Sequence, residues 1–444
     1  MNRLLLINGK IVSDGEIREA DVLIAGDRIE AVGTALPAGG SEVIDLDGRY
    51  VFPGLIDDQV HFREPGFPDK ATIASESLAA ICGGVTSYLD MPNTSPPTTD
   101  RAALRHKHGI AARTSHANYG FYLGATNTNI DEIRRVTAEE ACGIKVFMGA
   151  STGNMLVDDP ATLDAIFRDA PLPVATHCED SPMIRAAEAR FRERYGEDVP
   201  MSAHPLIRSA DACYASSSLA VELAKRHGTR LHVLHLTTAK ELALFERGPI
   251  RDKRITVEVC VHHLWFDQSR YEDLGTLIKC NPAIKTGEDR DALRRAVVED
   301  VIDVIATDHA PHTREEKANT YFAAPAGLPL VQHLLGMLLE MHRDGVLSLT
   351  TIVEKAAHNP ARLFGIVDRG FVREGYFADL VVVDLDALTP VTEEQLRYKC
   401  GWSPLQGVSL HSAVFMTILN GVPVYRNGKP AEAPQGRALK FAGR

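Results

Sequence analysis

The middle of the chain repeats one pattern, in which short apolar runs alternate with segments of helical periodicity. Eight of the apolar runs are predicted to be parallel strands: 54–58, 85–89, 119–123, 144–147, 174–176, 231–234, 255–259 and 304–306. Helical patterns lie between them at 74–82, 161–169, 210–226, 239–247 and 290–300. Repeated β–α units of roughly thirty to forty residues predict an α/β protein. Eight such strands favour a closed (β/α)₈ barrel over a doubly wound sheet.

The two ends of the chain have a different pattern, with short alternating runs separated by turns. Near the beginning these runs lie at 4–7, 9–12, 20–24 and 28–32, and near the end at 378–384 and 415–425. We therefore expect both termini to build one small β-sandwich module, comprising 1–52 and 370–444. The barrel would then occupy 53–369. A chain of 444 residues is long enough for both units.

Composition limits the partners of such a chain. Its 45% hydrophobic and 24% charged residues are typical of a globular protein, and its net charge of −11 opposes binding to nucleic acid or to an anionic membrane. The seven scattered cysteines contain no CxxC pair, which indicates reduced thiols. The first ten residues do not resemble a signal peptide, and no run has the length of a membrane span. We expect a cytoplasmic protein with a small-molecule substrate.

Chemically active side chains follow the predicted strands. In a barrel, the carboxyl ends of all strands meet at one mouth. The side chains placed there are Gln59, His61, Lys145, His177, His235 and Asp308. Each has an ordinary alternative explanation: core histidines are usually hydrogen-bonded, Lys145 fits a surface charge, and Asp308 fits a helix cap. Together at one mouth, imidazoles and a carboxylate favour a zinc-type metal site.

Three motifs give the chain a specific resemblance. Residues 56–66 read IDDQVHFREPG, residues 91–94 read MPNT, and residues 306–312 read ATDHAPH. In combination they resemble the dihydroorotases of the amidohydrolase superfamily. Shorter matches occur at 143–145, 176–177, 234–235, 279–282, 359–361 and 378–380, so the resemblance covers almost the whole chain. It implies a TIM barrel of the amidohydrolase type.

The resemblance also implies a metal centre and a reaction. His61 and Asp308 would bind the first of two Zn²⁺ ions, and His177 and His235 the second. Lys145, carboxylated by CO₂, would bridge them. A metal-activated hydroxide would attack the cyclic amide of dihydroorotate, with Asp308 as acid and base. The product would be N-carbamoyl-L-aspartate, in a reversible step of de novo pyrimidine biosynthesis.

Substrate residues follow from the same resemblance. Arg63, Asn93 and His312 would hold the ring carboxylate, while Asn281, Ala326 and Gly327 would contact the ring. Without the motif context, the first three would be explained as an ion pair, a turn former and a loop residue. The charged segment after His312 fits either a closing lid over 313–328 or a solvated helix start.

One residue departs from the family pattern. Most superfamily members carry HxH on the first strand, whereas this chain has Gln59 and His61. Residues 58 and 60 would not replace the missing imidazole, because only 59 and 61 share a face of the strand. Gln59 could ligate weakly, water could take its place, or the first site could be partly empty; we expect two metals with a weakened first site. The adjacent His262 and His263 are expected to be structural, since a strand turns at most one of them inward.

Two alternatives stay open. An allantoinase or hydantoinase would share the metal residues but need not bind a ring carboxylate, which Arg63, Asn93 and His312 favour. Gln59 raises the second alternative, a catalytically inactive dihydroorotase-like subunit of an aspartate transcarbamoylase assembly. The otherwise complete set of site residues opposes it. A homodimer is compatible with the fold, but no sequence feature identifies an interface.

Overall fold

The structure, a computed structural model, describes residues 3–149 and 155–442. Strands from both ends of the chain form one nine-stranded sheet in the order β19-β18-β17-β14-β5-β1-β2-β3, with β4 paired to β1. The first five strands are β1 Arg3–Ser13, β2 Glu16–Ala25, β3 Arg28–Gly33, β4 Glu42–Asp45 and β5 Tyr50–Pro53.

The eight strands of the barrel come next and are all parallel, in the order β13 to β6 around the sheet. They are β6 Leu55–Val60, β7 Val85–Asp90, β8 Asn118–Gly124, β9 Gly143–Phe147, β10 Val174–His177, β11 Leu231–Val233, β12 Ile255–Cys260 and β13 Val304–Ala306. The predicted (β/α)₈ barrel is confirmed, and each predicted strand overlaps an observed one.

The last strands complete the terminal sheet. They are β14 Leu380–Asp384, β17 Ala413–Leu419, β18 Val422–Arg426 and β19 Lys429–Pro430, while β15 Thr389–Pro390 and β16 Ser409–Leu410 pair separately. The two ends of the chain meet where β5 and β14 run antiparallel, with Val51 opposite Val382. A separate apolar cluster, which includes Val22, Ile44 and Met416, fills this module. The proposed division at 52/53 and 369/370 stays a prediction, and its outermost residues 1–2 and 443–444 lie outside the described residues.

Helices connect the barrel strands and follow the last of them. They are α1 Ile73–Cys82, α2 Arg101–Thr114, α3 Ile130–Arg135, α4 Pro160–Asp169, α5 Ser181–Tyr195, α6 His204–Ile207, α7 Ala210–His227, α8 Val261–Trp265, α9 Tyr271–Leu274, α10 Gly287–Val298, α11 Arg314–Lys317, α12 Leu334–Arg343, α13 Leu349–Val353 and α14 Asn359–Phe364. Local chemistry fixes their ends. Ser209 caps the first turn of α7 through the Ala212 N–H, and Gly228 ends this helix in the left-handed conformation.

One predicted helix is wrong. The segment 239–247 contains only a short 3₁₀ helix, Lys240–Leu244, which ends before Phe245. Glu241 explains the difference, because its buried carboxylate accepts hydrogen bonds from Ser217 and Thr238 instead of facing solvent. A helical pattern in the sequence does not reveal that a polar side chain will be buried and fixed by such hydrogen bonds. Within the described residues, no helix combines the length and the apolar character needed to cross a membrane.

The barrel is closed between its first and last strands. The His61 N–H donates to the carbonyl oxygen of His309 at 2.7 Å, and Val60 and His309 form a parallel bridge. Below this contact, the Thr307 hydroxyl donates to Asp57 Oδ2 at 2.5 Å. The side chains after β6 and β13 are therefore neighbours, although about 250 residues separate Asp57 from Thr307.

A buried ion pair fixes the end of the second barrel strand. Lys107 Nζ lies 2.7 Å from Asp90 Oδ2, and both side chains are fully buried. Lys107 also donates to the carbonyl oxygen of Met91 at 2.8 Å, and Asp90 Oδ1 accepts the Phe62 N–H at 2.9 Å. The pair thus links helix α2 to the segments that carry two of the sequence motifs.

We predict that Lys107→Met lowers the free energy of unfolding by about 3–5 kcal/mol, because it leaves the carboxylate of Asp90 buried without its counter-ion. Denaturant unfolding followed by circular dichroism measures the change. Arg113→Ala, at an exposed position of the same helix, is the control and should change stability by less than about 0.5 kcal/mol. Equal stability of the two variants would contradict the prediction.

Candidate active site

The predicted site residues surround one cavity at the mouth of the barrel. The cavity has a volume of about 220 Å³. All twelve predicted residues line it: Gln59, His61, Arg63, Asn93, Lys145, His177, His235, Asn281, Asp308, His312, Ala326 and Gly327. Phe147, Ala310 and Pro325 complete the lining. The structure thus brings these residues together, while their individual roles stay predictions.

Asp308 lies between the two polar residues of the first strand. Its Oδ1 is 3.0 Å from His61 Nε2 and 3.1 Å from Gln59 Nε2. The other ring nitrogen of His61, Nδ1, lies 2.7 Å from Asn93 Oδ1 and donates to it. A neutral His61 therefore turns the lone pair of Nε2 towards a carboxylate oxygen, and two acceptors that face each other suit a cation between them.

Burial and charge together set the protonation of this pair. Burial favours a raised pKa for Asp308, but the hydrogen bond and charge of a protonated His61 outweigh it, and the pKa is lowered. Burial lowers the pKa of His61 in spite of Asp308. Asp308 is thus a carboxylate and His61 a neutral imidazole near pH 7, which are the forms that bind metal ions.

Two further imidazoles lie next to each other in the lining of the cavity. His177 Nδ1 lies 3.0 Å from His235 Nε2, and His177 Nε2 lies 2.9 Å from Glu179 Oε2. Arg208 Nη1 donates to the same Glu179 oxygen at 2.5 Å, which keeps this buried carboxylate ionised and lets it hold the His177 ring. Burial lowers the pKa of both histidines, His235 far below its ordinary value.

This geometry fits a zinc-type ion. Two nitrogen ligands at about 2.0–2.1 Å from one tetrahedral zinc stand roughly 3.3 Å apart, close to the 3.0 Å between His177 and His235. Glu179 is the second partner that metal-binding histidines usually have. His61, a borderline ligand, and Asp308, a hard ligand, form a second pair in the lining of the same cavity.

Lys145 is buried between these two pairs without a hydrogen bond recorded among the described residues. Its Nζ lies 4.7 Å from the centre of the Phe147 ring, and only 1% of the residue is exposed. Burial lowers the pKa of Lys145 to about 8, so the neutral amine is far more accessible near pH 7 than in an exposed lysine. A neutral, unpartnered amine is the form that reacts with CO₂, which makes Lys145 suitable for carboxylation.

Cationic groups crowd the other side of the cavity. Lys70 Nζ lies 3.1 Å from His312 Nδ1 and can only donate, so the ring proton resides on Nε2 and is directed to the Ala326 carbonyl at 3.1 Å. Arg63 Nη2 lies 3.0 Å from that same Nε2. Two N–H donors therefore point into the same space, where an anionic group would be accepted.

The loop that closes this side is tied to a buried lysine. Lys317 Nζ donates to the carbonyl oxygens of Lys279, Pro325 and Gly327 at 2.9–3.1 Å. Gly327 has a φ of 144°, and a Cβ there would lie 2.2 Å from the Ala310 carbonyl oxygen, so glycine is required. The segment predicted as a lid is anchored at its far end by these bonds, and whether it moves stays a prediction.

Several residues of the site were not predicted from the sequence. Lys70, Glu179 and Arg208 act through other side chains. The first two lie close to residues that were predicted, Lys70 in the sequence PDK at 68–70 and Glu179 in HCED at 177–180, and only this proximity could have indicated them. The expectation that His262 and His263 lie on a strand is wrong: β12 ends at Cys260, and both histidines are buried in the short helix α8. His263 Nε2 lies 3.1 Å from the Pro282 carbonyl, consistent with a structural role.

We predict that Lys317→Met loosens the loop around Gly327, because three buried carbonyl groups lose their common donor, at about 1–3 kcal/mol for an unsatisfied group. Amide protection over residues 318–328 should fall by about tenfold or more in hydrogen exchange measured by mass spectrometry. Lys225→Met, at an exposed position of α7, is the control and should leave protection unchanged. Equal protection in both variants would show that Lys317 does not hold the loop.

Comparisons with known proteins agree on one family. A sequence profile described as "Amidohydrolase family" matches residues 50–424. The chain is 36% identical to the dihydroorotase of Halobacterium salinarum over 440 residues, which cover 98% of this chain and 99% of that one. It is 30% identical to an allantoinase of Desulfitobacterium hafniense, with 98% of both chains covered.

A solved structure agrees with the sequence relatives. The L-hydantoinase (dihydropyrimidinase) from Arthrobacter aurescens superposes with a TM-score of 0.93 at 27% identity, covering 99% of this chain and 100% of that one. The profile spans most of the chain, and the relatives are matched over nearly their whole length. The chain therefore belongs to the amidohydrolase family.

Proposed function

We propose that this protein is a zinc-dependent cyclic amide hydrolase and, within that class, a dihydroorotase that interconverts (S)-dihydroorotate and N-carbamoyl-L-aspartate. The observation that carries the proposal is that Arg63 and His312 line the same cavity as Asp308 and the histidines, with Lys70 donating to His312. Relatives named dihydroorotase, at 36% and 35% identity over nearly the whole chain, support it.

The donors favour a substrate with a carboxylate on its ring. Dihydroorotate carries such a group, whereas hydantoin and allantoin do not. One oxygen would accept from Arg63 Nη2, which otherwise faces the N–H of His312 Nε2. The other would accept from His312 Nε2 in place of the Ala326 carbonyl. Asn281 Oδ1 is buried, has no hydrogen-bond partner among the described residues and can accept a ring N–H. The amide of Asn93 keeps its nitrogen for the substrate, since its oxygen is used by His61.

Different residues of the chain carry out substrate binding and proton transfer. Arg63 and His312 hold the carboxylate and so direct the ring amide towards Asp308. Asp308, ionised at the start, takes up the proton of the attacking water and delivers it to the amide nitrogen as the ring opens. In the reverse direction the same carboxylate takes the proton from the nitrogen that closes the ring. A divalent metal, when bound, supplies Lewis acidity and lowers the pKa of water.

Two zinc ions per chain fit the donor set. His61 and Asp308 would hold the first and His177 and His235 the second, with Lys145, as a carbamate, bridging them. Gln59 weakens the first site, because its amide nitrogen donates to Asp308 and its Oε1 faces the Cys260 thiol, 3.9 Å away. Only a rotated amide would turn the oxygen towards an ion, and that oxygen is a weaker ligand than imidazole.

Allantoinase is the second candidate, because relatives of that name are 30–31% identical over nearly the whole chain. Gln59 keeps the third candidate, an inactive subunit of an aspartate transcarbamoylase assembly, open to test. The homodimer, the association with aspartate transcarbamoylase and the cytoplasmic location stay predictions.

We predict that the zinc-loaded protein opens the ring of L-dihydroorotate faster than those of hydantoin and allantoin, and that Asp308→Ala abolishes the activity. Arg63→Lys should raise KM for dihydroorotate by about 10–100-fold, since loss of the forked guanidinium removes a charged hydrogen bond of about 1.5–3 kcal/mol. Ring opening is followed by ultraviolet absorbance.

The control for Arg63→Lys is Arg190→Lys, at an exposed position of α5, which should keep the wild-type KM. Faster opening of allantoin, with KM insensitive to Arg63→Lys, would support the allantoinase candidate instead. Activity that is absent in the wild type and restored in Gln59→His would support the inactive subunit.

We predict that Gln59→His tightens the binding of the first zinc ion by about tenfold or more, because imidazole replaces a weak amide ligand. Competition with a chromophoric chelator measures both zinc affinities, independently of catalysis. Gln268→His, which adds a histidine at an exposed position, is the control. Unchanged affinities in Gln59→His would show that residue 59 does not face the ion.

A further inference from the structure

A second group of metal-type side chains lies below the mouth, inside the barrel. Asp58 comes from β6, His232 from β11 and Glu258 from β12, and all three are fully buried. Two strands separate β6 from β11 in the barrel order, so Asp58 and His232 can touch only across the interior. One ligand atom from each residue lies within 4.8 Å of the others.

The two distances from the imidazole are close to those between ligands of one ion. His232 Nε2 lies 3.3 Å from Asp58 Oδ2 and 3.7 Å from Glu258 Oε2. Charge-assisted hydrogen bonds are shorter, at about 2.7–2.9 Å. Ligands held about 2.0–2.2 Å from a tetrahedral zinc stand roughly 3.3–3.6 Å apart. Both Asp58 oxygens, Glu258 Oε2 and His232 Nε2 are buried and form no hydrogen bond with any residue that the structure describes.

A neighbouring hydroxyl sets the tautomer of the imidazole. Thr256 Oγ1 donates to the Leu231 carbonyl at 3.2 Å, so at 2.9 Å from His232 Nδ1 it accepts the ring proton. Burial would lower the pKa of His232, but the negative charges of Asp58 and Glu258 raise it to about 9, so the ring holds a second proton near pH 7 when no ion is bound. An ion that replaces that proton meets the Nε2 lone pair, which is directed at Asp58 and Glu258. Histidines that bind metals are typically held through their other nitrogen in this way.

The charges favour a cation. In the described part of the chain, neither Asp58 nor Glu258 has an ion pair with a lysine or arginine, and His232 is the basic group that both face. A proton on His232 balances one of the two buried carboxylates. Burial and Asp58 raise the pKa of Glu258 to about 7, so the second carboxyl group is neutral only when it holds a proton of its own. A divalent ion with a neutral imidazole balances both.

We propose that Asp58, His232 and Glu258 bind a divalent transition-metal ion of the zinc type in the barrel interior, separate from the mouth. Among the described residues, those that line the mouth cavity do not include these three. Carboxylate oxygens with one imidazole nitrogen are a ligand set that zinc accepts, with a fourth position left for water or a second carboxylate oxygen.

The interior ion has a structural consequence for the mouth. Glu258 Oε1 accepts the backbone N–H of His235 at 3.1 Å. His235 has a φ of 41°, a left-handed conformation that a histidine adopts only under constraint. An ion that fixes Glu258 therefore also fixes the backbone of His235, and Glu258 is a positioning residue for that imidazole.

Anomalous scattering tests the site directly. Crystals of the full chain grown with zinc and measured on both sides of the zinc absorption edge should show a peak about 2.0–2.2 Å from Asp58 Oδ2, His232 Nε2 and Glu258 Oε2. A peak at the mouth with none in the interior would overturn the proposal and leave a protonated His232 as the balancing group. An interior peak with an empty mouth would support it while refuting the zinc centre of the proposed function.

Zinc content after removal of loosely bound metal gives a second test in solution. Asp58→Asn should lose one zinc per chain relative to the wild type. Glu241→Gln, which neutralises another buried carboxylate that is fully hydrogen-bonded by Ser217 and Thr238, should lose none. Equal zinc content in the wild type and Asp58→Asn would overturn the proposal. If Asp58→Asn fails to fold, the anomalous map of the wild type decides.

Discussion

The hydrogen bond from the His61 N–H to the His309 carbonyl is the contact on which the site depends. Seven ladders join the eight barrel strands, and this bond closes the remaining gap between the first strand and the last. It brings Asp308 within 3.0 Å of His61 Nε2, although 247 residues separate them along the chain. His309 is itself held, because Nε2 lies 2.8 Å from Glu76 Oε2 and Nδ1 accepts the Leu330 N–H at 2.9 Å.

Backbone strain is present at the mouth. Among the described residues, eleven non-glycine residues have a positive φ, and three of them, Arg63, His235 and Asp308, lie at the mouth with φ between 41° and 63°. Each such residue costs about 1–3 kcal/mol and persists where its surroundings determine it completely. The three belong to the substrate side, the second metal pair and the first metal pair of the proposed site. Leaving the strand direction at these points turns each side chain into the cavity rather than along the wall.

The sequence predicted the barrel and the membership of the cavity because both follow from one rule: parallel strands in a barrel present their carboxyl ends at one mouth. The rule places His177 and Lys145 without knowledge of any contact. It does not reach residues that act through others, so Glu179 and Lys317 were missed. The predictions also failed at Glu241, where side-chain hydrogen bonds prevailed over the helical pattern, and after Cys260, where the strand ends two residues before a histidine pair.

Strict alternation failed in an informative place. The pairing of β6 with β7 is irregular between Asp57 and Val60, and there two consecutive side chains both point into the barrel. Gln59 contacts Asp308 after the neighbouring last strand, and Asp58 reaches across the interior to His232. An ideal strand would turn one of them towards the helices. The irregularity therefore gives the first strand polar groups at two depths. At the mouth, the strand presents the neutral amide of Gln59, which attracts a cation less strongly than a charged group. One residue earlier, Asp58 adds a carboxylate to a fully buried cluster. An imidazole at 59 would leave that interior carboxylate in place, so the charge at the two depths is set by separate residues of the same strand.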